Sequence, residues 1–309
     1  MGPSPTAVAV FAFNRPNHVA QLIDSLRSAH GARDATVFFF SDGPRAHVPA
    51  DQQKVTAVRR VVAAAVEGRD FSRIHVVEQS RNLGLARSVI MGVSRVLEAF
   101  ESVIVLEDDL VLAKGALRFM VAGLGRYKAD PHAFSVTAYR YGEGGPSARI
   151  GFAPRFSSWA WGTWRDRWHR VDWDVRDYAR FAASHHLRAS FNRGGDDLAD
   201  MLDAQLRGQI DSWAIRMNYA QWKAGGLTLF PARSLVENRG FDGSGVHCGV
   251  DDLPHGQASS ASEDTFDFPA RATLDPVIAQ EISRAHRYVL RVRVGSELRW
   301  LARRLKLAS

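Results

Sequence analysis

The first 110 residues alternate between two hydrophobic patterns, and that alternation leaves few folds open. Continuous apolar runs occupy residues 7–13, 36–41, 74–77 and 103–106. They are too short for helices and apolar at nearly every position, which marks strands buried on both faces. Between them, residues 17–30, 51–67 and 83–100 read as helices. The first carries Val19, Leu22, Ile23 and Leu26 on one face, and the third carries Val89, Val93, Val96 and Leu97. Strands and helices in this order predict an α/β fold, a mixed, mostly parallel, Rossmann-like sheet with helices on both faces. Ligands of such sheets bind at the carboxyl ends of the strands. Here those ends are Asn14-Arg15, Asp42-Gly43 and Glu107-Asp108-Asp109, all polar and all directly after apolar runs.

The second half is less regular. Residues 133–141 read as a strand, residues 152–173 are dense in Trp and Phe, and residues 196–207 and 212–223 have helical spacing. A Gly-rich stretch covers 238–249 and a polar loop or linker covers 250–270. Residues 275–308 read as a basic amphipathic helical extension. The expected organisation is one domain over 1–250, with a first half at about 1–112 and a second at about 113–250. The linker and basic helical segment follow at 251–309.

Of the 309 residues, 46% are hydrophobic, enough for one large domain with or without a small appendage. The net charge of +7 favours an anionic ligand or surface. The chain has neither zinc-finger spacing nor an RNP-like strand, so nucleic acid is not the expected partner. The single cysteine, Cys248, excludes an intrachain disulfide and fits a reducing, cytoplasmic setting. The first apolar run is too short to span a bilayer and lacks a basic leader. The C-terminal segment sets Arg284, Arg287, Arg291 and further basic residues among Val, Leu and Trp300. It reads either as a peripheral contact with an anionic membrane or as a helix packed on the domain with a solvated basic face.

The most informative motif is VIVLEDDLVLA. Three adjacent carboxylates, Glu107, Asp108 and Asp109, repel one another at the end of a buried strand, so a cation is expected beside them unless the segment is a solvated acidic turn. Hard oxygen ligands suit Mn²⁺ or Mg²⁺. Asp211 stands directly before a helical stretch and reads either as a general base or as a helix N-cap. His247, in GSGVHCG, reads as a metal or diphosphate ligand or as an ordinary loop histidine. In SSWAWGTWRDRW, Trp161 and Gly162 are expected to face a ligand, with other indoles of the run in the core.

Taken in order, these segments resemble the GT-A-fold glycosyltransferases, and most closely the N-acetylglucosaminyltransferase I type. FAFNRPNHVAQLIDSL resembles that family's first strand, Arg-Pro turn and first helix. FFFSDG resembles its second strand, QSRNLGLARSVIMGVSRVL the segment before the metal strand, and VIVLEDDL the Glu-Asp-Asp motif. IDSWAIRM resembles the segment with the catalytic base, and LVENRGFDGSGVHCG the Gly-rich segment after it. The resemblance spans about residues 7–249. It departs from the family at Ile210 and Ser212, where the family motif has Trp and a second Asp.

The resemblance implies a metal-dependent, inverting transfer of a sugar from a nucleotide sugar, UDP by preference, to an acceptor hydroxyl or amine. Asp109 and His247 would hold the metal and Asp211 would be the base. Phe13, Asn14, Arg15, Asn82, Arg87, Glu107, Asp108, Trp161 and Gly162 would contact the donor, and Asp42 would read its base and ribose. The acceptor, whether a glycan, a lipid-linked sugar or a small molecule, is not legible. Two rivals remain at this point. A sugar nucleotidyltransferase would be expected to carry a Gly-rich loop where Asn14-Arg15-Pro16 stands. A non-catalytic sugar-binding module would need no base.

Overall fold

The computed structural model describes residues 6–141, 149–243 and 265–286. The first half follows the hydrophobic pattern, except that the strand at Arg73–Glu78, expected to be buried on both faces, is the edge of the sheet and is largely exposed. Strand β1 (Thr6–Ala12) leads to helix α1 (Pro16–Ser28), followed by β2 (Thr36–Ser41), α2 (Pro49–Gly68), β3 (Arg73–Glu78), α3 (Leu85–Ala99) and β4 (Ser102–Glu107). The chain then runs through β5 (Leu110–Leu112), α4 (Ala116–Arg126), β6 (Ala133–Thr137), β7 (Gly151–Ala153) and β8 (Trp161–Trp164). Short helices α5 (Arg165–Trp168), α6 (Tyr178–Ala182), α7 (His185–Phe191) and α8 (Leu198–Leu206) precede α9 (Trp213–Lys223), β9 (Leu227–Phe230) and β10 (Val236–Asn238).

Eight strands form one sheet in the order β3-β2-β1-β4-β8-β6-β9-β7. β1 is parallel to β2 and to β4, and β2 is parallel to β3. β8 is antiparallel to both neighbours, and the parallel pairing of β6 with β9 follows. β5 and β10 pair antiparallel in a small second sheet beside the end of β4.

Side chains alternate across β1, so one strand serves two cores. Val8 and Val10 pack with α1 and α4 on one face, through Leu22, Leu26, Met120 and Leu124. Ala7, Ala9 and Phe11 pack with α3 and α9 on the other, through Val89, Val93, Trp213 and Met217. Pro16 opens α1 at a position where its missing N–H costs nothing. The stripe Val19, Leu22, Ile23 and Leu26 is buried as its spacing requires.

The strand expected over 133–141 ends at Thr137. Of the extension expected over 275–308, residues 276–286 are helical, and the rest lies outside the described residues. The described part of 251–309 is tied to the main domain. Phe266 and Phe268 pack on Phe119, with ring centroids 5.2 and 5.5 Å away. Ile278 and Ile282 are buried with Ala153 and Phe230. Buried Arg140 pairs with Glu281 across the same junction at 2.5 Å. Among the described residues, no helix is long and apolar enough to cross a membrane.

Candidate active site

The carboxyl ends of β1, β2 and β4 and the start of α3 enclose a cleft of about 390 Å³. Phe13, Asn14, Arg15, Asp42, Asn82, Glu107, Asp108, Asp109 and Asp211, all read from the sequence, line it together. Sequence reasoning passed over Arg45, Gly84, Leu85 and Ser88, which line it too. Arg45 follows the turn that ends β2, the same strand-end position that picked out Asp42 and Arg15. The Ser88 hydroxyl is closed to solvent in the cleft wall and has no hydrogen-bond partner.

Arg15 sits where β1 ends and α1 begins. Its guanidinium donates to the Asp108 carboxylate, and to Asp109 Oδ2 at 3.0 Å. The Phe13 amide also donates to Asp108, at 3.4 Å. One guanidinium is left to balance three carboxylates. Burial pushes Asp108 above the usual carboxylate range, and Arg15 only partly opposes this. Glu107 is pushed up to about 8, by burial first and then by the charges of Asp109 and Asp108. Among the described residues, the cleft therefore holds negative charge that is not neutralised.

That surplus fits a hard divalent cation, and so does the shape of the site. A Cβ at Gly240 would collide with Asp109 Oδ2, so the glycine leaves this carboxylate its place. Among the described residues, no three His, Cys, Asp or Glu side chains converge on one point. This suits Mg²⁺ or Mn²⁺, which bind through one or two carboxylates plus phosphate and water oxygens. His247, the other metal ligand read from the sequence, lies outside the described residues.

Asp42 lines the cleft, where its carboxylate is already engaged. Its Oδ1 accepts from the Gly43 and Leu83 amides, both at 2.8 Å. Its Oδ2 accepts from Asn82 Nδ2 at 2.9 Å and the Gly84 amide at 3.1 Å. Each carboxylate oxygen offers about two lone-pair sites, so all are taken. Asp42 holds the 82–84 loop at the head of α3, and contact with a base or ribose would require one of these bonds to open. A second network fixes the opposite rim. Asp51 is held at about 2, first by the Arg45 hydrogen bond against the cost of burial. It binds Arg45 Nε at 2.5 Å and Asn14 Nδ2 at 2.8 Å.

At Asp211 the structure separates the two readings. The N-cap of α9 is Ser212, whose hydroxyl accepts from the Ile215 amide at 3.3 Å. Asp211 is released from capping, and its exposed carboxylate faces the cleft, 3.8 Å from Arg216 Nη2.

Three residues expected at the donor are elsewhere. Arg87 is on the exposed side of α3 and does not line the cleft. Trp161 is fully buried, packed on Phe156, Trp168 and Trp213 at centroid distances of 5.1, 6.0 and 4.9 Å. Gly162 is a packing glycine, because a Cβ there would meet the Val103 carbonyl at 2.9 Å and Leu124 at 3.0 Å. The reason lies at Ala160, an alanine in left-handed backbone with φ of 48°. Residues two apart in a regular strand share a face. Across Ala160 they do not: Trp159 packs with the α1–α4 core and Trp161 with the α3–α9 core.

Sheet order, cleft and acidic strand end together are those of a glycosyltransferase of the GT-A fold. The model of glycosyl transferase family 2 matches residues 7–191, more than half of the chain, and the chain belongs to that family. Asp211 lies beyond the matched stretch. Among solved structures the chain is similar to the mannosyltransferase PcManGT from Pyrobaculum calidifontis in complex with GDP-Man and Mn²⁺, at 15% identity over 72% of each chain with a TM-score of 0.39. It is similar to S. aureus TarS 1-349 at 13% identity, over 74% of this chain and 58% of that one, with a TM-score of 0.43. It is also similar to GalNAc-T7 with UDP, GalNAc and Mn²⁺, at 11% identity over 75% of this chain and 43% of that one, with a TM-score of 0.46. No curated protein matches the chain by sequence.

Proposed function

We propose that this glycosyltransferase moves a sugar from a nucleotide sugar, UDP-linked by preference, to an acceptor hydroxyl or amine by a single displacement with inversion. The observation that carries the reading is Asp211, a carboxylate with no capping duty that shares one cleft with the under-neutralised acids of β4. The ordered motifs that resemble the N-acetylglucosaminyltransferase I type support the same pairing of base and acidic strand.

Asp211 would accept the acceptor's proton as the oxygen or nitrogen attacks the anomeric carbon. The bond from that carbon to the diphosphate oxygen breaks, and the nucleoside diphosphate leaves from the opposite side. Asp109, with Asp108 beside it, would hold Mn²⁺ or Mg²⁺, which when bound supplies positive charge against the leaving diphosphate. Arg15 is the cation paired with these acids, placed to exchange a carboxylate for a phosphate oxygen when both ligands enter. Phe13, Asn14, Asn82 and Glu107 complete the donor wall, and Asp42 keeps the 82–84 loop in register.

The test is the anomeric configuration of the product by NMR, with kinetics of Asp211→Asn. Inversion, and a kcat lowered about 10²- to 10⁴-fold with donor KM little changed, are expected for loss of a general base. Retention of configuration, or a variant with unimpaired kcat, would remove Asp211 from the mechanism.

A further inference from the structure

In a single displacement the acceptor enters opposite the leaving diphosphate, beside the donor wall rather than on it. The next strand beyond β4 is β8, which runs antiparallel to it with Trp161 opposite Val105. Trp159, two residues before Trp161 and roughly 7 Å along the chain, therefore stands at the same end of the sheet as the acids of β4. The turn after β10 joins the two places. The Arg239 amide donates to the Asp109 carbonyl at 2.8 Å, and Gly240 packs against Asp109 Oδ2. The next side chain, Phe241, packs on Trp159 with ring centroids 5.8 Å apart. Helix α1 fixes this turn, because His18 Nε2 donates to the Arg239 carbonyl at 3.3 Å and Arg239 Nη1 donates to Gln21 at 2.9 Å.

Trp159 is half-buried in a rigid seat. Tyr139 packs on it at 4.4 Å, and Tyr141 braces Tyr139 at 4.8 Å. Thr137 Oγ1 donates to the Trp159 carbonyl at 3.0 Å. Ala160 beside it holds the left-handed backbone that divides Trp159 from Trp161. An alanine adopts that conformation only at a cost, and such strain clusters at ligand sites. The consequence here is specific: a regular strand would bury both indoles in the α3–α9 core, and the turn at Ala160 brings one of them to Phe241 and the segment over Asp109.

The surroundings of the indole limit what can lie on it. Asp109, Arg239 and Asp242 flank the Phe241 side, so an alkyl chain would run on against charge. A serine or threonine of a peptide carries its hydroxyl on a short arm with no flat face. A pyranose has both features in one ring, an apolar C–H face for the indole and hydroxyls at the edge to attack the donor. We propose that Trp159, braced by Tyr139 and Phe241, is the acceptor platform and that the acceptor is a pyranose sugar stacked on it. The proposal rests on the transferase reading and adds to it the chemical class of the acceptor.

The experiment is an NMR titration of the full chain with Mn²⁺ and UDP or GDP, followed at the tryptophan indoles, with Trp159→Phe assigning the resonance. The probes are the methyl glycosides of glucose, galactose, mannose, N-acetylglucosamine and rhamnose at millimolar concentration, with p-cresol and octanol for comparison. At least one glycoside is expected to shift the Trp159 indole. Its affinity, read in the variants by saturation transfer to the ligand, should fall about tenfold in Trp159→Leu, which keeps apolar bulk and loses the flat face. Trp159→Phe, which restores a flat ring, should stay within about threefold of the native chain. Circular dichroism checks that both variants fold. The proposal is wrong if no glycoside moves the Trp159 resonance, if the leucine variant binds as tightly as the native chain, or if only p-cresol or octanol binds. Mn²⁺-dependent nucleotide binding to the native chain is measured in the same samples. Its absence would fail the transferase reading, whereas a nucleotide-loaded chain whose Trp159 ignores every glycoside would fail this inference alone.

Discussion

Arg15 and Arg155 are both arginines held by aspartates, the first half-buried in the candidate cleft and the second buried in the second half of the domain. Arg155 meets a single carboxylate, donating to both oxygens of Asp197 at 2.7 and 2.9 Å, and donates also to the Gly194 carbonyl at 3.3 Å. Burial pushes Asp197 up, but the guanidinium outweighs it and holds the carboxyl at about 2. Arg15 meets two aspartates with Glu107 behind them, and Asp108 stays above the ordinary range in spite of it. The first arrangement is closed, one charge against one, and it ties 155 to 197 beneath the C-terminal helix. The second is open by at least one charge. The same pair of residue types thus makes a balanced clamp in one place and an under-neutralised acidic site in the other, and the ratio of carboxylates to guanidinium decides which.

Substitution of the aspartates should expose this difference most strongly. Asp109→Ala is expected to lower transfer about 10³-fold, roughly 4 kcal/mol of transition-state stabilisation. Its melting temperature should hold or rise, because a like charge has been removed. Steady-state kinetics and calorimetry on the same sample check both halves, and a variant that melts much lower would make the acids structural. Asp197→Asn should do the reverse. It leaves Arg155 buried without its counter-charge and should destabilise the fold by about 3–5 kcal/mol, as read by urea unfolding. An unchanged unfolding midpoint would show that this pair is no clamp.

Acid should separate the two sites more gently. The folded Asp197 carboxyl titrates near 2, below its ordinary 3.8. The stability it contributes is therefore present above about pH 4 and is lost as pH falls from 4 toward 2, an effect of about 2 kcal/mol. Asp197→Asn should flatten that part of the stability profile, and a profile identical to the native one would contradict the assignment. The smallest expected effect concerns Trp161. Trp161→Phe should cost about 1–2 kcal/mol of stability by leaving a cavity while kcat and donor KM stay within twofold, about 0.4 kcal/mol. A large rise in donor KM would return this indole to the ligand.

The same contrast explains what could be read from the sequence. β1, β2 and β4 are apolar along nearly their whole length because helices cover both faces, and their ends therefore announced Arg15, Asp42 and the acidic triplet. The second half hides its order in strands of three to five residues, β5 to β10, which are too short to show a period. Helices α5 to α7 run four to seven residues and left no stripe either. Three side-chain placements turned on single backbone or hydrogen-bond choices. Ser212 took the cap that Asp211 could have filled, and a left-handed Ala160 moved Trp161 away from the ligand face. The 82–84 amides claimed the Asp42 carboxylate. The Arg155–Asp197 clamp joins residues 42 apart through no motif, and only the folded chain brings them together.

The central claim is that the surplus charge at Glu107, Asp108 and Asp109 serves metal-dependent transfer from a nucleotide sugar. The direct measurement follows release of nucleoside diphosphate across a panel of nucleotide sugars, once with Mn²⁺ and once with EDTA. The account predicts release from one donor that EDTA abolishes and that Asp109→Ala loses. Absence of release from every donor, together with nucleotide binding indifferent to Mn²⁺, would contradict it.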